Sequence, residues 1–333
     1  MSVPATPIAS IPQVVVSRAS LPGDPSSLLA TTCTVRVWGG PSAPGPDELA
    51  DLVGNADGLL GVAKDYIDDR LFDRCPNLRS VAIASTGYDL VDTDAARRRG
   101  IAVTHTPAVL SSAVADHAFF LMAGARRRGH EHITMLRNGT WDHHLALDEL
   151  LGLDVHGTTL GLVGYGQVGK AIARRAVGYE MTVTEYSHGP HDEQARAVDL
   201  PDLLRESDII AVALPLSPET YHLIGESELR LMKSTATLVN VGRGATIDEI
   251  ALATALREGW IHSAGIDVFT TEPVADLGHP LFGLTNAFLT PHMASATEAA
   301  RASMVTIAAR DLMAMMDGRS PRHLLAELRD TTD

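Results

Sequence analysis

The glycine-rich segment GLVGYGQVGKAIA, near the middle of this 333-residue chain, strongly constrains how the chain can fold. An apolar strand pattern precedes Gly164, and a helical pattern follows Gly169. In such a turn the first glycine permits a tight bend, Gly166 lets a pyrophosphate approach the backbone, and the third packs the helix against the strand. The helix N-terminus, at Gln167 and Val168, then offers free N–H groups to phosphates. The segment therefore predicts a dinucleotide-binding turn.

Short apolar strand patterns alternate with helical patterns both before and after a long helical stretch. Only the second series, which begins at Thr159, opens with the glycine turn. Alternation of this kind indicates parallel sheets with helices on both faces. A last helical pattern, at about 296–316, returns by topology to the first series. We therefore predict an α/β fold in which a Rossmann domain, residues 109–296, is inserted into a second doubly wound domain formed by residues 1–108 and 297–333.

Local patterns predict the limits of individual elements. One helix is expected over residues 110–137, and another over 246–259, beginning at Thr246. Two basic runs, residues 97–100 and 126–129, each end in glycine, which is typical of a last helical turn closed by a glycine cap. The strand patterns of the first series, TVRVWG among them, are expected to be buried.

Composition excludes several classes of protein. The formal net charge of -14 argues against a nucleic-acid-binding surface, which needs clustered positive charge. Two cysteines are too few for a disulfide framework, and the N-terminal residues lack the pattern of a signal peptide. The apolar stretches fall short of the ~18 residues of a membrane span. We expect a soluble, cytoplasmic protein that binds neither membranes nor nucleic acids.

Arg243, Glu272 and His292 each lie just after a strand pattern, in NVGRGATID, DVFTTEP and LTPHMAS. Because ligands bind at the carboxyl ends of strands in open α/β sheets, all three could meet in one cleft. An arginine can bind a carboxylate with its planar fork, and a histidine can transfer a proton near neutral pH. A glutamate paired with the imidazole would fix its tautomer. The set suits hydride transfer at a carbon that bears oxygen beside a carboxylate.

The residues after the next strand leave the choice between NAD and NADP open. In dinucleotide-binding folds an acidic residue after this strand usually binds the ribose hydroxyls. In this chain that position is Ser187, with Glu185 two residues earlier. A serine does not repel a 2′-phosphate. However, no arginine follows to attract one, and only His188 and His191 could take its place. We therefore expect NAD or NADP as the cofactor.

These motifs, together with LPLSPETYHLI and AGIDVFTTEP, resemble those of D-isomer-specific 2-hydroxyacid dehydrogenases over roughly residues 33–320. The resemblance implies a Rossmann domain inserted into a flavodoxin-like substrate domain. It also implies that Arg243, Glu272 and His292 are the catalytic residues. Further cofactor contacts are implied at Pro215, Thr220, Val241 and Asp267, the last at the nicotinamide amide.

The resemblance extends to the substrate loops. Thr86 and Gly87, in ASTGYD, are expected to meet the substrate carboxylate. Ser85 before them stands where a glycine is frequent in the family, a pattern similar to that of glyoxylate/hydroxypyruvate reductases. Val62 is expected to line the same site. Lys64 is the one cation in the loop LLGVAKDY. Because a phosphate needs several cations, a phosphorylated substrate is disfavoured. We therefore expect reduction of glyoxylate or hydroxypyruvate to the D-2-hydroxy acid.

The segment RNGTWDHH resembles an arm, near residues 110–152, that reaches across a twofold dimer in this family. The resemblance implies a homodimer in which Trp141 caps the active site of the partner chain. Two other functions stay open. A non-catalytic, cofactor-sensing regulator of the corepressor kind would keep the same three residues, and a phosphite dehydrogenase would need further cations near Arg243. No metal is expected, because hydride transfer requires none.

Overall fold

The computed structural model describes residues 11–107, 109–189 and 191–329. Residues 1–10 lie outside the described residues. They make up most of the N-terminal segment in which we see no signal peptide. The described residues divide into two compact units: one is built from the residues up to Leu110 and from Ala296 onward, and the other is Ser111–Ser295. Among the described residues, no helix is both long and apolar enough to cross a bilayer.

Helices and strands alternate along most of the chain. The elements before the second unit are β1 (Gln13–Val16), α1 (Pro25–Leu29), β2 (Thr34–Val37), α2 (Pro46–Val53), β3 (Gly58–Val62), α3 (Asp69–Arg74), β4 (Ser80–Ala84), α4 (Thr93–Arg99) and β5 (Ala102–Thr104). The second unit contains α5 (Ser111–Arg126), α6 (Gly129–Asn138), β6 (Thr159–Val163), α7 (Gln167–Ala176), β7 (Thr182–Tyr186), β8 (Arg196–Ala197), α8 (Leu200–Glu206), β9 (Ile209–Val212), α9 (Glu226–Leu231), β10 (Thr237–Asn240), α10 (Glu249–Glu258), β11 (Ser263–Ile266) and β12 (Ala287–Leu289). The chain returns to the first unit with α11 (Glu298–Met316).

The first unit has a five-stranded parallel sheet in the order β2-β1-β3-β4-β5, which is the flavodoxin-like order. Alternate residues of its strands enter two separate apolar cores. Val15, Leu59 and Val81 face the core shared with α2, α3 and α4, whereas Val14 and Leu60 face α1 and α11. This sheet confirms the predicted fold class. The prediction that β2 is buried was wrong, because β2 is an edge strand with mostly exposed side chains.

The second unit has a seven-stranded parallel sheet in the order β12-β11-β10-β9-β6-β7-β8. The strand order reverses between β6 and β9, as in the doubly wound dinucleotide-binding fold, and this confirms the Rossmann prediction. One face of the sheet packs its apolar side chains against α8, α9 and α10. On the other face α5 approaches closely, because Gly265 has no side chain and a Cβ there would lie 2.9 Å from the Cβ of Leu121.

The single helix predicted over residues 110–137 is two helices. Arg128 adopts a left-handed backbone conformation, with φ of 56°, and interrupts the helical path between α5 and α6. The prediction that Gly129 caps a helix was therefore wrong, because Gly129 is the first residue of α6, and Gly139 is the left-handed cap of that helix. The other basic run behaves as predicted, since Gly100 closes α4 in the left-handed conformation.

The second basic run contains a buried cation, and the predicted start of α10 was wrong. Arg126 is 5% exposed, although cations of the last helical turn are usually solvated. Its guanidinium donates to the backbone oxygens of Asp154, Asp208 and Thr235, at 2.5, 2.9 and 3.1 Å. The helix expected to begin at Thr246 begins at Glu249, because the side chain of Asp248 accepts hydrogen bonds from the first helical turn and caps it. Thr246 lies in a short 3-10 helix.

We expect Arg126→Met to lower the melting temperature by about 5–10 °C. The substitution keeps an apolar stem but leaves three partly buried hydrogen-bond sites on backbone carbonyls without their donor, at a cost of about 2–4 kcal/mol. Arg127→Met is the matched control, because Arg127 is exposed and its replacement costs less than about 0.5 kcal/mol. Thermal unfolding followed by circular dichroism compares the two variants. Equal melting temperatures would show that Arg126 does not tie the end of α5 to the sheet.

Candidate active site

The glycine turn lies where the strand order reverses, directly after β6. Gly164 has φ of 103°, and a Cβ there would lie 2.9 Å from the backbone oxygen of Ala213. At Gly169 a Cβ would overlap the backbone oxygen of Gly164, so α7 can approach the strand only with glycine at this position. A Cβ at Gly166 would meet no atom within 4 Å. Only the second glycine therefore faces open space, which fits a backbone that a pyrophosphate approaches.

The start of α7 offers a favourable site for phosphates. Gly166 is the N-cap, and Gln167 and Val168 form the first turn, in which no acidic residue lies. Gly166 and Gln167 are exposed. Free N–H groups and the partial positive charge of the helix end are therefore open to an anion.

Arg243 follows β10, and two side chains hold its backbone. Its carbonyl oxygen accepts hydrogen bonds from the side chains of Asn240 and Thr246, at 3.0 and 2.6 Å. A Cβ at the next residue, Gly244, would overlap the backbone of Phe269 and Thr270. The residue after Arg243 therefore lies directly against the segment that leads to Glu272. The Arg243 side chain is half-buried, and its Nη1 donates to the Gly242 oxygen at 2.9 Å.

His292 and Glu272 form a hydrogen-bonded pair after the neighbouring strands β12 and β11. His292 Nδ1 lies 2.7 Å from Glu272 Oε2, and Glu272 Oε1 accepts a hydrogen bond from the Phe269 N–H at 3.0 Å. The carboxylate accepts, so Nδ1 carries a proton and Nε2 is the nitrogen that can exchange one with a ligand. The His292 side chain is 40% exposed, whereas that of Glu272 is 15% exposed. The pair can therefore act as an oriented acid and base.

Asp267 is completely buried at the end of β11. Its carboxylate accepts hydrogen bonds from the Thr290 hydroxyl at 2.6 Å and from the backbone N–H groups of Met293 and Ala294 at 2.8 and 2.9 Å. Burial alone would raise its pKa, but the hydrogen bonds, that from His117 foremost among them, outweigh burial and hold the pKa below its ordinary value. Asp267, which the resemblance assigns to the nicotinamide amide, thus also holds the loop that carries His292.

Three other predicted cofactor residues lie in loops at the same edge of the sheet. Pro215 and Thr220 follow β9, where the Thr220 hydroxyl donates to the Pro215 oxygen at 2.8 Å and closes the loop. Val241 follows β10 and is buried. Pro215 is exposed. These residues follow the two strands on one side of the reversal point of the strand order, which lies between β9 and β6.

The predicted adenosine end combines two buried polar side chains after β7. Ser187 Oγ is buried and has no hydrogen-bond partner among the described residues, and the same is true of Glu185 Oε2. Glu185 is fully buried, and its other oxygen pairs with His191 Nδ1. The carboxylate of Glu185 therefore faces the interior of the unit, and no acid stands at position 187.

The predicted substrate residues lie in the first unit: Val62 ends β3, and Thr86 and Gly87 follow β4. The Val62 N–H is used within the loop, because it donates to Asp65 Oδ2 at 2.8 Å. Buried Asp65 also accepts from Arg18 Nη1 at 2.7 Å. The Thr86 hydroxyl donates to the Thr106 oxygen at 2.9 Å.

Trp141 lies in the second unit on an exposed segment after α6, with 57% of its surface exposed. No group of three or more metal-ligating side chains that could hold an ion occurs among the described residues. Sequence reasoning missed His117 and Thr290, which contact Asp267 or its neighbours. The polar His117 inside the apolar pattern AVADHAFFLMAGA is the signal that could have indicated a buried contact.

Comparison with known proteins identifies the family. The profile of the D-isomer specific 2-hydroxyacid dehydrogenase NAD-binding domain matches residues 119–294. A glyoxylate reductase of Thermococcus gammatolerans is 42% identical over 322 residues, which cover 94% of this chain and 96% of that protein. The chain belongs to the D-isomer-specific 2-hydroxyacid dehydrogenase family. This membership confirms the resemblance stated from the motifs.

Solved structures of this dehydrogenase fold agree along the chain. A protein of Thermus thermophilus superimposes with a TM-score of 0.89 at 40% identity, covering 94% of this chain and all of that one. An NADPH-dependent glyoxylate/hydroxypyruvate reductase of Sinorhizobium meliloti gives a TM-score of 0.83 at 30% identity and covers 95% of this chain and 98% of that one. The chain is therefore a D-2-hydroxyacid dehydrogenase that uses a nicotinamide dinucleotide.

We expect Gly166→Ala to raise the Kd for NADH or NADPH about tenfold or more without changing the melting temperature. The added methyl group meets no protein atom, but it occupies the space that a pyrophosphate needs. Gly178→Ala is the matched control, because a Cβ there also meets nothing within 4 Å and the residue lies outside the turn. Isothermal titration calorimetry gives Kd for each variant. Tight binding by Gly166→Ala would place the cofactor elsewhere.

Proposed function

We propose that this dehydrogenase reduces a small 2-oxo acid, with glyoxylate or hydroxypyruvate favoured, to the D-2-hydroxy acid. The observation that carries the proposal is the His292–Glu272 pair, which lies in the loops after β12 and β11, with Arg243 after the adjacent strand β10. The pair supplies an oriented proton donor, and the guanidinium supplies a partner for a carboxylate. Both groups are needed when a 2-oxo acid is reduced.

The chain's residues divide the chemistry between them. The glycine turn would hold a reduced nicotinamide dinucleotide, which would provide the hydride for the carbonyl carbon. Arg243 would bind the substrate carboxylate with its planar fork and polarise the adjacent carbonyl. His292 Nε2 would give its proton to the carbonyl oxygen as negative charge develops there, which leaves a neutral ring hydrogen-bonded to Glu272. In the oxidation direction the same nitrogen takes the proton back.

A small substrate is supported by relatives and by the chain's own loops. The Thermococcus gammatolerans relative is named a glyoxylate reductase, and the Sinorhizobium meliloti structure is titled a glyoxylate/hydroxypyruvate reductase. In the first unit, Asp65 takes the Val62 N–H and one Arg18 nitrogen for its own hydrogen bonds. A pairing of this kind reduces the positive charge available to a phosphate. We therefore favour an unphosphorylated substrate, with Val62, Thr86 and Gly87 as its contacts in the first unit.

We propose that the chain accepts both NADH and NADPH. Position 187 holds a serine, so no carboxylate there repels a 2′-phosphate, and the nearby carboxylate of Glu185 is buried and paired with His191. No lysine or arginine lies among residues 187–191 to bind that phosphate strongly. With neither a repelling nor an attracting charge, we expect kcat/KM for the two cofactors to differ by less than about tenfold.

His292→Asn should lower kcat by a factor of about 10² to 10⁴, because the variant loses the proton donor. The assay follows oxidation of NADH and NADPH separately, with glyoxylate, hydroxypyruvate, pyruvate and a bulkier 2-oxo acid. Exposed His156→Gln is the matched control and should be unaffected. Full activity of His292→Asn would refute the mechanism. Cofactor binding by the wild type without oxidation of either cofactor would favour the regulator instead.

We also propose that a second copy of the chain covers α6 and the segment after it. Helix α6 has no buried residue, and an isolated helix of its length is marginal in water. The exposed apolar side chains of this surface include Ile133, Leu136, Trp141, Leu147 and Leu151. Burial of exposed apolar side chains that are this numerous within about 20 residues is typical of a subunit interface. In such a dimer, Trp141 would reach the partner's site.

We expect the wild type to sediment at twice the chain mass and the double variant Ile133→Glu, Leu136→Glu at the mass of one chain. Two buried carboxylates would cost several kcal/mol at an apolar interface. Leu277→Glu is the matched control, because Leu277 is 88% exposed and lies outside this surface. Sedimentation equilibrium measures each mass. A wild type that stays monomeric would refute the dimer. The cytoplasmic location is a separate prediction, which this experiment does not test.

A further inference from the structure

His117 extends from α5 toward the loop that carries the reacting histidine. Its Nε2 lies 2.9 Å from the Thr290 hydroxyl and 3.2 Å from Asp267 Oδ1, and its side chain is 16% exposed. Ala115 and Ala118 of the same helix are buried, whereas Asp116 is exposed. His117 thus makes a specific polar contact with residues far away in the sequence.

The geometry fixes the direction of each hydrogen bond. Asp267 is ionised, because its pKa is held low, so its Oδ1 must accept from the Thr290 hydroxyl at 2.6 Å. A hydroxyl has only one hydrogen, so Thr290 Oγ1 can only accept from His117. Nε2 of His117 therefore carries a proton. Because Asp267 Oδ1 also lies 3.2 Å from this nitrogen, His117 supports Asp267 both directly and through Thr290.

Asp267 in turn shapes the segment 290–294. Its carboxylate accepts from the N–H groups of Met293 and Ala294, and its backbone oxygen accepts from the His292 N–H at 2.7 Å. His292 has φ of 55°, in the left-handed region that a residue with a side chain rarely adopts. The hydrogen bonds to Asp267 on both sides of His292 therefore hold a backbone conformation that is otherwise unfavourable.

We propose that His117 is a positioning residue for His292 and acts through Thr290 and Asp267. The ring of His292 meets Glu272 only when the loop keeps this backbone conformation. The chain of hydrogen bonds from His117 holds Thr290 and Asp267, and these hold the loop from its two sides. The inference rests on the proposed function, in which His292 transfers the proton, and it adds a residue that never touches the substrate.

Desolvation explains why a histidine serves here rather than an apolar residue. A fully buried carboxylate is costly unless each of its oxygens receives hydrogen bonds. Without His117, Thr290 could turn its hydroxyl to another acceptor, and Asp267 would lose part of its hydrogen bonding. The loop could then relax from the left-handed conformation at His292, and a displacement of about 1 Å at a reacting group can lower the rate about 100-fold.

Paired substitutions test the chain of hydrogen bonds at two positions. His117→Leu removes the donor, whereas His117→Gln places an amide N–H near the position of Nε2. Thr290→Val removes the hydroxyl at nearly constant shape, whereas Thr290→Ser keeps it. We expect kcat for 2-oxo acid reduction to fall about 10-fold to 100-fold in the Leu and Val variants and to be partly restored in the Gln and Ser variants. The Kd for the cofactor should change less than kcat does, since Asp267 keeps its side chain and its hydrogen bonds from Met293 and Ala294.

A second readout does not depend on activity. The Cε1–H signal of His292 in ¹H–¹³C spectra, assigned with His292→Asn, reports the surroundings of the ring. We expect this signal to shift or broaden in His117→Leu and Thr290→Val and to stay in place in His117→Gln, Thr290→Ser and the control His156→Gln. If His117→Leu does not fold, the Thr290 pair carries the test alone.

Three outcomes decide the question. A moved His292 signal with the expected loss of kcat supports the positioning role. An unmoved signal in folded His117→Leu and Thr290→Val overturns it, whatever the activity. If the wild type reduces no 2-oxo acid, the proposed function fails, while the spectra still show whether His117 positions the ring.

Discussion

Parallel pairing of the strands in the second unit determines where its chemistry can occur. Each strand from β6 to β12 runs in the same direction, so each loop at a carboxyl end emerges at the same edge of the sheet. The glycine turn follows β6, Arg243 follows β10, and His292 follows β12. Residues separated by more than a hundred positions in the sequence therefore share one edge of the sheet. The direction of the strands alone places them there, whatever the lengths of the loops between them.

Within that edge, the buried carboxylate of Asp267 imposes the finer order. A charge removed from water must be surrounded by donors, and most of its donors belong to the segment that carries His292. The buried carboxylate of Asp267 thus obtains its donors only when the neighbouring loop folds into a single conformation. The same conformation directs the His292 ring to Glu272. A buried charge here fixes the geometry of a more exposed pair.

The sequence was sufficient for features that depend on local pattern and on the general behaviour of parallel sheets. The glycine turn, the strand order class and the positions of Arg243 and His292 after strands follow from spacing and periodicity alone. The contact between His117 and Thr290 joins residues 173 positions apart, and no local pattern specifies it. Gly129 serves close contact rather than capping, because a Cβ there would lie 2.9 Å from the Gly124 oxygen and 3.3 Å from the ring of Phe288, which is far away in the sequence.

Helix α5 connects the two edges of the sheet. His117 contacts the loop at the carboxyl edge, while Arg126 donates to the backbone oxygens of Asp208 and Thr235, beside the amino ends of β9 and β10. Arg126 lies nine positions after His117, a distance of about 14 Å along the helix, and each residue turns the helix by about 100°. Insertion or deletion of a single residue in this interval would rotate one contact away from its partners while the other stayed in place. The length of this helical segment is therefore as strictly constrained as the identity of the residues at its ends.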